Sequence, residues 1–294
     1  MTEPTIELYK IRDFGAKVNA TIRYIRMHIK DMIVPVLLLV LPTGLIAGLS
    51  MKSYLGFSLN MERMADDPEA SSQLFSQMMT SYGVLMLVSI LAISLYMLIV
   101  YGYMKHAHQA EGTRLSSGEL FSKAFSRLPG AILLMILISI IVFLGMLVFF
   151  IPGIYLMIVL SLAMPIYIFE NVSIGNALSR SFKLIKGKWW STFGLLVVSS
   201  LIAAAVSYIF VIPGYILVFW EMFTSISENQ ADPGALAKSM DGFLPTIGLT
   251  FAMIGAYVCY IIPIIALAFQ YSNLVERNEG IGLKQDIENF ENLK

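Results

Sequence analysis

PIYIFENVSIGNALSRSFKLIKGKWW, residues 165–190, decides the architecture of this chain. An uncharged apolar run ends at Glu170, a basic amphipathic segment follows, and Trp189-Trp190 opens the next apolar run. The physical reading is a helix leaving a bilayer, a helix lying on its surface and a helix going back in. The same arrangement precedes Met32 and Leu128.

Working outward from this stretch, six uncharged apolar runs stand out: 32–51, 82–104, 128–150, 151–169, 189–212 and 246–271. Each is close to or above the roughly 20 residues that a helix needs to cross a hydrocarbon core about 30 Å thick. Lipid offers the backbone no hydrogen-bond partner, so helices, which pair their own backbone, are expected. The alternating pattern of a membrane barrel is absent. The chain is 57% hydrophobic and 14% charged, whereas a soluble domain carries about 25% charged residues. The expected fold is an all-α polytopic membrane bundle of six transmembrane helices with three amphipathic cytoplasmic surface helices. Residues 1–31 form an N-terminal cytoplasmic segment, 32–271 the membrane domain and 272–294 a cytoplasmic tail.

The net charge is zero but strongly polarised. With six crossings and a cytoplasmic N-terminus, the inner segments 1–31, 105–127, 170–188 and 272–294 hold 6, 4, 4 and 3 Lys/Arg, 17 of the 20 in the chain. Only Lys52, Arg63 and Lys238 fall outside. Orientation follows Lys and Arg in the short flanking loops, so both termini are expected on the cytoplasmic side. The first 31 residues are polar and mixed in charge, unlike a signal peptide. Cys259 is the single cysteine, which excludes a disulfide within the chain. The sequons at Asn19 and Asn171 fall on the cytoplasmic side and read as chance.

Three segments carry the amphipathic device. In Asp13–Lys30, Phe14, Val18, Ile22, Ile25 and Ile29 recur at helical spacing, with Lys17, Arg23, Arg26 and Lys30 largely off that stripe. In Ser116–Arg127, Leu120, Phe121, Ala124 and Phe125 share a face, and Ser116 with Glu119 has the spacing of a capping box. In Ser173–Lys186, Ile174, Leu178, Phe182 and Ile185 line one side. Asp13 and Ser173 suit N-cap positions. Two readings stand for the apolar faces: immersion in the acyl boundary, or packing on the protein's own bundle. The candidate anionic-lipid contacts are Arg23, Arg26, Lys30, Lys123, Arg127, Arg180, Lys183, Lys186 and Lys188, each contributing on the order of 1 kcal/mol near an anionic surface.

The far-side connections differ. Lys52–Ser81 is long and rich in Met, Ser and acids, and Ile151-Pro152-Gly153 is a tight turn. Ile212-Pro213-Gly214 opens a third connection, and FFIPGIYL at 149–156 echoes FVIPGYIL at 210–217, a sign of internal duplication. Tyr215–Ser227, 13 residues with Glu221, reads as a re-entrant or surface segment, being too short and too acidic to cross. Pro35, Pro42, Pro165 and Pro263 interrupt spans; they read as packing features first and transporter hinges second.

Chemistry-bearing motifs are sparse. No Asp, Glu, Lys, Arg or His lies within the six runs, which argues against proton-coupled transport and most intramembrane hydrolysis. His106 and His108 form an HxH pair, with His28 and Glu111 as conceivable further ligands, but nothing in the spacing gathers a metal site. Glu62, Asp66, Asp67 and Glu69 read as a solvated acidic loop. Glu170 is placed to pair with Arg180 or Lys183 and so lock the surface helix against the bundle. No cofactor site, catalytic constellation or nucleic-acid signal is present.

The run from IPGIYL through PIYIFEN to ALSRSFKLIKGKWW resembles the membrane domain attached to some glycerophosphodiester phosphodiesterases, and the related stand-alone YciC-type inner-membrane proteins. The shared pattern falls on Pro152, Gly153, Pro165, Glu170, Ala177, Leu178, Arg180, Ser181, Gly187 and Trp189. Pro213 and Gly214 repeat its Pro-Gly element. The two ends of the chain are also similar to membrane proteins of Bacteroidetes-type bacteria. The resemblance implies a bacterial inner-membrane protein of six helices and carries over no catalytic residue, because the catalytic barrel is missing from this chain. The expected role is non-enzymatic, binding or organising lipids or partner membrane proteins, with self-association among the options. The alternative is a transporter or channel for a neutral or amphipathic solute.

Overall fold

The computed structural model describes residues 6–59, 68–109, 116–228, 238–282 and 284. The described chain is helical: α1 Phe14–Leu59, α2 Pro68–Gln109, α3 Ser117–Val148, α4 Phe150–Leu160, α5 Ala163–Phe169, α6 Ile174–Leu184, α7 Trp189–Glu228, α8 Phe243–Cys259 and α9 Ile261–Glu279. Six stretches are long and apolar enough to cross a membrane, α4 with α5 and α8 with α9 each counting as one. Glu62, Asp66, Asp67 and Glu111 lie outside the described residues, and of the acidic loop's last member, Glu69, only the backbone is described.

Local chemistry sets the boundaries. Asp13 Oδ1 accepts from Ala16 N at 2.7 Å and starts α1. Ser116 and Glu119 form both halves of a capping box at α3. Ser173 accepts from Asn176 N at the head of α6. Pro165 has no N–H to give the carbonyl of Ser161, and the chain breaks there between α4 and α5. Pro263 stands in the same relation to Cys259, where α8 ends. Asn171 (φ 54) and Gly187 (φ 72) take the left-handed conformation that closes α5 and α6.

Four boundaries differ from the sequence expectation. The first two surface segments are not separate helices, because α1 and α3 run without a break from the amphipathic stretch into the apolar one. No glycine interrupts Lys30 to Ile33, the Asp31 carboxylate accepts from the Tyr103 hydroxyl, and α1 absorbs Pro35 and Pro42. Only α6 stands alone. The tight turn falls at Phe149, the single extended residue (φ −157) between α3 and α4, and Pro152-Gly153 belongs to the first turn of α4. Proline fits there, where its missing N–H would be unpaired anyway. At Pro213-Gly214 there is no turn. α7 continues through both to Glu228, so 215–227 is a helical continuation of the fifth apolar stretch and not a separate element. Lys52–Leu59 and Pro68–Ser81 are likewise helical extensions of α1 and α2.

The chain divides into two compact units. One comprises residues up to Val36, Ser94–Ile202 and the chain from Ile261. Its centre is α9, where Ile264–Ser272 are all buried, the pattern of a helix enclosed on every side. α5 and α6 pack on α9, and α3 pairs with α4. The second unit comprises Leu37–Ile93 and Ala203–Tyr260. Its core gathers Val218, Met240 and Leu249 with Met51, Leu55, Tyr215 and Met222. Lys52 donates to Thr246 Oγ1 at 2.9 Å and to the Asp241 carbonyl at 3.3 Å.

Candidate anionic-ligand site

α5 is seven residues long and ends facing two cations. Lys105 Nζ from α2 donates to the Ile168 carbonyl at 3.0 Å, and Arg127 Nη1 from α3 donates to the Tyr167 carbonyl at 3.4 Å. Carbonyls in a helix's last turn lack intrahelical partners and carry the negative end of its dipole, so cations collect there. The Arg127 guanidinium also lies over the Tyr167 ring, 5.4 Å from its centroid. Gly130 makes room for that ring, since a Cβ there would stand 2.2 Å from the Tyr167 hydroxyl.

These contacts border a cavity of about 270 Å³. Its cationic side is Lys105, Lys123 and Arg127, with His106 beside them; Leu98, Leu120 and Ile168 supply apolar wall. Among the described residues no carboxylate lines it. Lys105 and Arg127 are held in place by neutral carbonyls, and a carbonyl orients a cation without cancelling its charge. The pocket therefore sets three cations beside an apolar wall.

A second polar cluster has the opposite balance. Arg180 on α6 bonds Glu170 through Nε, at 2.6 Å to Oε1 and 2.5 Å to Oε2, and Glu279 Oε1 through Nη2 at 2.7 Å. Tyr271 donates its hydroxyl to Glu170 Oε1 at 3.0 Å. Burial opposes the charge on Arg180, but the bonds to Glu170 and Glu279 prevail and hold its pKa above the usual arginine value. Two carboxylates on one guanidinium leave no positive charge for a headgroup, so Arg180 is a lock between α5, α6 and α9. Arg180→Gln is expected to lower stability by about 2 kcal/mol, a discounted figure because the side chain is partly exposed. Glu170→Gln, which still accepts from Tyr271 and leaves one carboxylate on Arg180, is expected to lose about half as much. Unfolding midpoints in one detergent check the order, and an unchanged midpoint for both would remove the lock.

The remaining candidate cations are dispersed. Arg23, Arg26 and Lys30 are exposed on α1, and Lys183, Lys186 and Lys188 are exposed on and after α6. Large apolar residues share these surfaces: Phe14, Ile22, Phe125, Phe182 and Trp190 are all exposed. On α1 the buried side is instead Lys17, Ala20, Thr21 and Tyr24.

Lys17 is the residue that periodicity misplaced. It is 2% exposed, and its Nζ donates to Gln270 Oε1 at 2.6 Å and Ser191 Oγ at 3.1 Å. Gln270 Nε2 passes the chain to Thr192 Oγ1 at 2.8 Å. A second unforeseen group joins α1 to α2: Tyr103 donates to Asp31 Oδ2 at 3.0 Å, and His28 Nδ1 lies 3.0 Å from the same hydroxyl. His108 packs edge-on against Tyr9. Among the described residues no three His, Cys, Asp or Glu gather to hold a metal. Arg12 ties the N-terminal segment to α9 through Asn273 Oδ1 at 2.8 Å, with its guanidinium 5.2 Å from the Phe269 centroid.

Comparison with known proteins adds one finding. Residues 127–231 match the family model of the membrane domain of glycerophosphoryl diester phosphodiesterase. The match begins at Arg127 of the pocket, contains α4, α5 and α6 with Glu170 and Arg180, and extends past α7. No curated protein and no solved structure matches the chain.

Proposed function

We propose that this membrane protein is a binder rather than a catalyst, and that its Lys105–Lys123–Arg127 pocket takes the phosphate of an anionic lipid. The observation that carries the reading is three cations on one partly apolar cavity, two of which, Lys105 and Arg127, are held by neutral carbonyl oxygens, while Lys123 lies within the field of Glu119. The exposed cations of α1 and α6, each beside outward-facing Phe, Ile or Trp, supply the surrounding interfacial belt. The distribution of Lys and Arg supports both termini and the pocket on the cytoplasmic face, and the family resemblance is what suggests a bacterial inner membrane.

Native mass spectrometry of the full chain, with phosphatidylglycerol or phosphatidylethanolamine added, tests this directly. Phosphatidylglycerol is expected to bind preferentially. Lys123→Gln removes a charge of about 1 kcal/mol and is expected to weaken that binding roughly fivefold. Lys186→Gln, just after α6 and outside the cavity lining, is expected to leave the tightest bound lipid in place. Equal losses at both positions would reduce the pocket to diffuse surface attraction. Displacement by inorganic phosphate alone would make the ligand a soluble anion.

A further inference from the structure

We propose that the α3–α4 hairpin ends inside the membrane, its tip Leu147–Ile151 seated among the lipids of the far leaflet rather than in water. Five consecutive residues at this tip are apolar and between 66% and 78% exposed: Leu147, Val148, Phe149, Phe150 and Ile151. A helical turn in water would expose polar side chains; this one exposes none. The chain's other far-side connections, 52–81 and 229–242, both carry acids, Ser and Asn or Gln.

The lengths agree. α4 and α5 span Phe150–Phe169, 20 residues, or about 30 Å as a helix. The apolar part of α3, 128–148, has a similar reach. Both legs start from polar anchors at one end: Arg127 on α3, Glu170 after α5. From there each covers about one hydrocarbon thickness and no more, so any tilt draws the tip below the far headgroups.

Two backbone N–H groups of the turn find carbonyl partners. Phe149 N donates to the Gly145 carbonyl at 3.2 Å, and Gly153 N donates to the Phe149 carbonyl at 3.4 Å. Pro152 removes a donor that would otherwise be unpaired. The backbone groups left over by the two helix ends hold the tip at the acyl–headgroup boundary of the far leaflet, where polar partners are within reach, and not deeper in hydrocarbon. Lipid is the occupant that fits, because the tip continues the exposed apolar surface of α3, where Phe143 and Leu144 also face outward.

Spin labels at Phe149→Cys and Ile151→Cys, in the full chain in phosphatidylethanolamine/phosphatidylglycerol nanodiscs, read the depth. Buried Cys259 stays in place and its background is subtracted with the unsubstituted chain. Both labels are expected to collide freely with oxygen and to lose collisions with a water-soluble nickel chelate, to the level of a lipid-facing label at Leu201→Cys. Lys10→Cys, on the exposed N-terminal segment, serves as the water-facing reference. Nickel access at the tip matching that reference overturns the proposal. Low collision with both reagents also overturns it, since it would mean that a second copy of the chain covers the tip. Phe150→Asp supplies an independent reading: a loss of thermal midpoint in nanodiscs is expected, and an unchanged midpoint counts against insertion.

Discussion

Gln270→Leu lowers stability by about 3 kcal/mol, and Lys17→Met lowers it by about half as much. The ammonium of Lys17 is enclosed, and among its described contacts it leans on neutral oxygens, Gln270 Oε1 and Ser191 Oγ. Its charged surroundings are Arg277, Asp13 and Lys188, two cations against one acid. Removing the amide therefore leaves a buried charge short of its closest partner. Removing the ammonium leaves only a neutral carbonyl oxygen short of a donor, and Met refills the space. The double variant Lys17→Met/Gln270→Leu is expected to be more stable than Gln270→Leu alone, because the apolar pair strands no charge. Unfolding of the four proteins in one detergent decides it. If the double variant is the least stable, the pair acts as two independent packing contacts and the charge argument is wrong.

This cluster also marks where sequence reading stops. The spans were legible because charge is absent from them, and the long apolar helices lie where those runs do. Lys17 was not legible. Its helix has two stripes, an apolar one through Phe14, Val18 and Ile22 and a polar-aromatic one through Lys17, Thr21, Tyr24 and His28. Hydropathy assigns the first to the interior. The structure buries Lys17, Thr21 and Tyr24 and exposes Phe14 and Ile22, the sensible choice only where the surroundings are apolar. One signal was available: Gln270 is the sole amide in the 246–271 run, and a lone amide in an apolar run requires a partner.

The pocket was half legible. Lys123 and Arg127 are marked by their place before a span, whereas Lys105 carries no such mark. Its role depends on α5 ending at Phe169, closed by Asn171 in the left-handed conformation, and not on any local pattern near residue 105.

Gly214→Val and Gly248→Val are each expected to lower stability by about 3 kcal/mol. A Cβ on Gly214 would stand 2.4 Å from the Gly248 carbonyl oxygen, and one on Gly248 2.3 Å from the Gly214 carbonyl oxygen. Backbone atoms cannot rotate aside, so α7 and α8 must separate and give up their packing, the term that holds helices together in lipid. A control has the opposite sign. Gly83 in α2 has open space around it, so Gly83→Ala is expected to add roughly 0.5–1 kcal/mol through helix propensity alone. Gly214→Ala, the same chemical change, is expected to destabilise. Both alanine variants unfolding at the same temperature would deny the close crossing. The contrast also explains the echoed IPG. A Cβ on Gly153 would meet Met146 N at 2.8 Å across the α3–α4 hairpin, so each copy places its glycine where another helix's backbone comes close. The repeated element is a helix-approach site, which is why one copy follows a turn and the other lies in mid-helix.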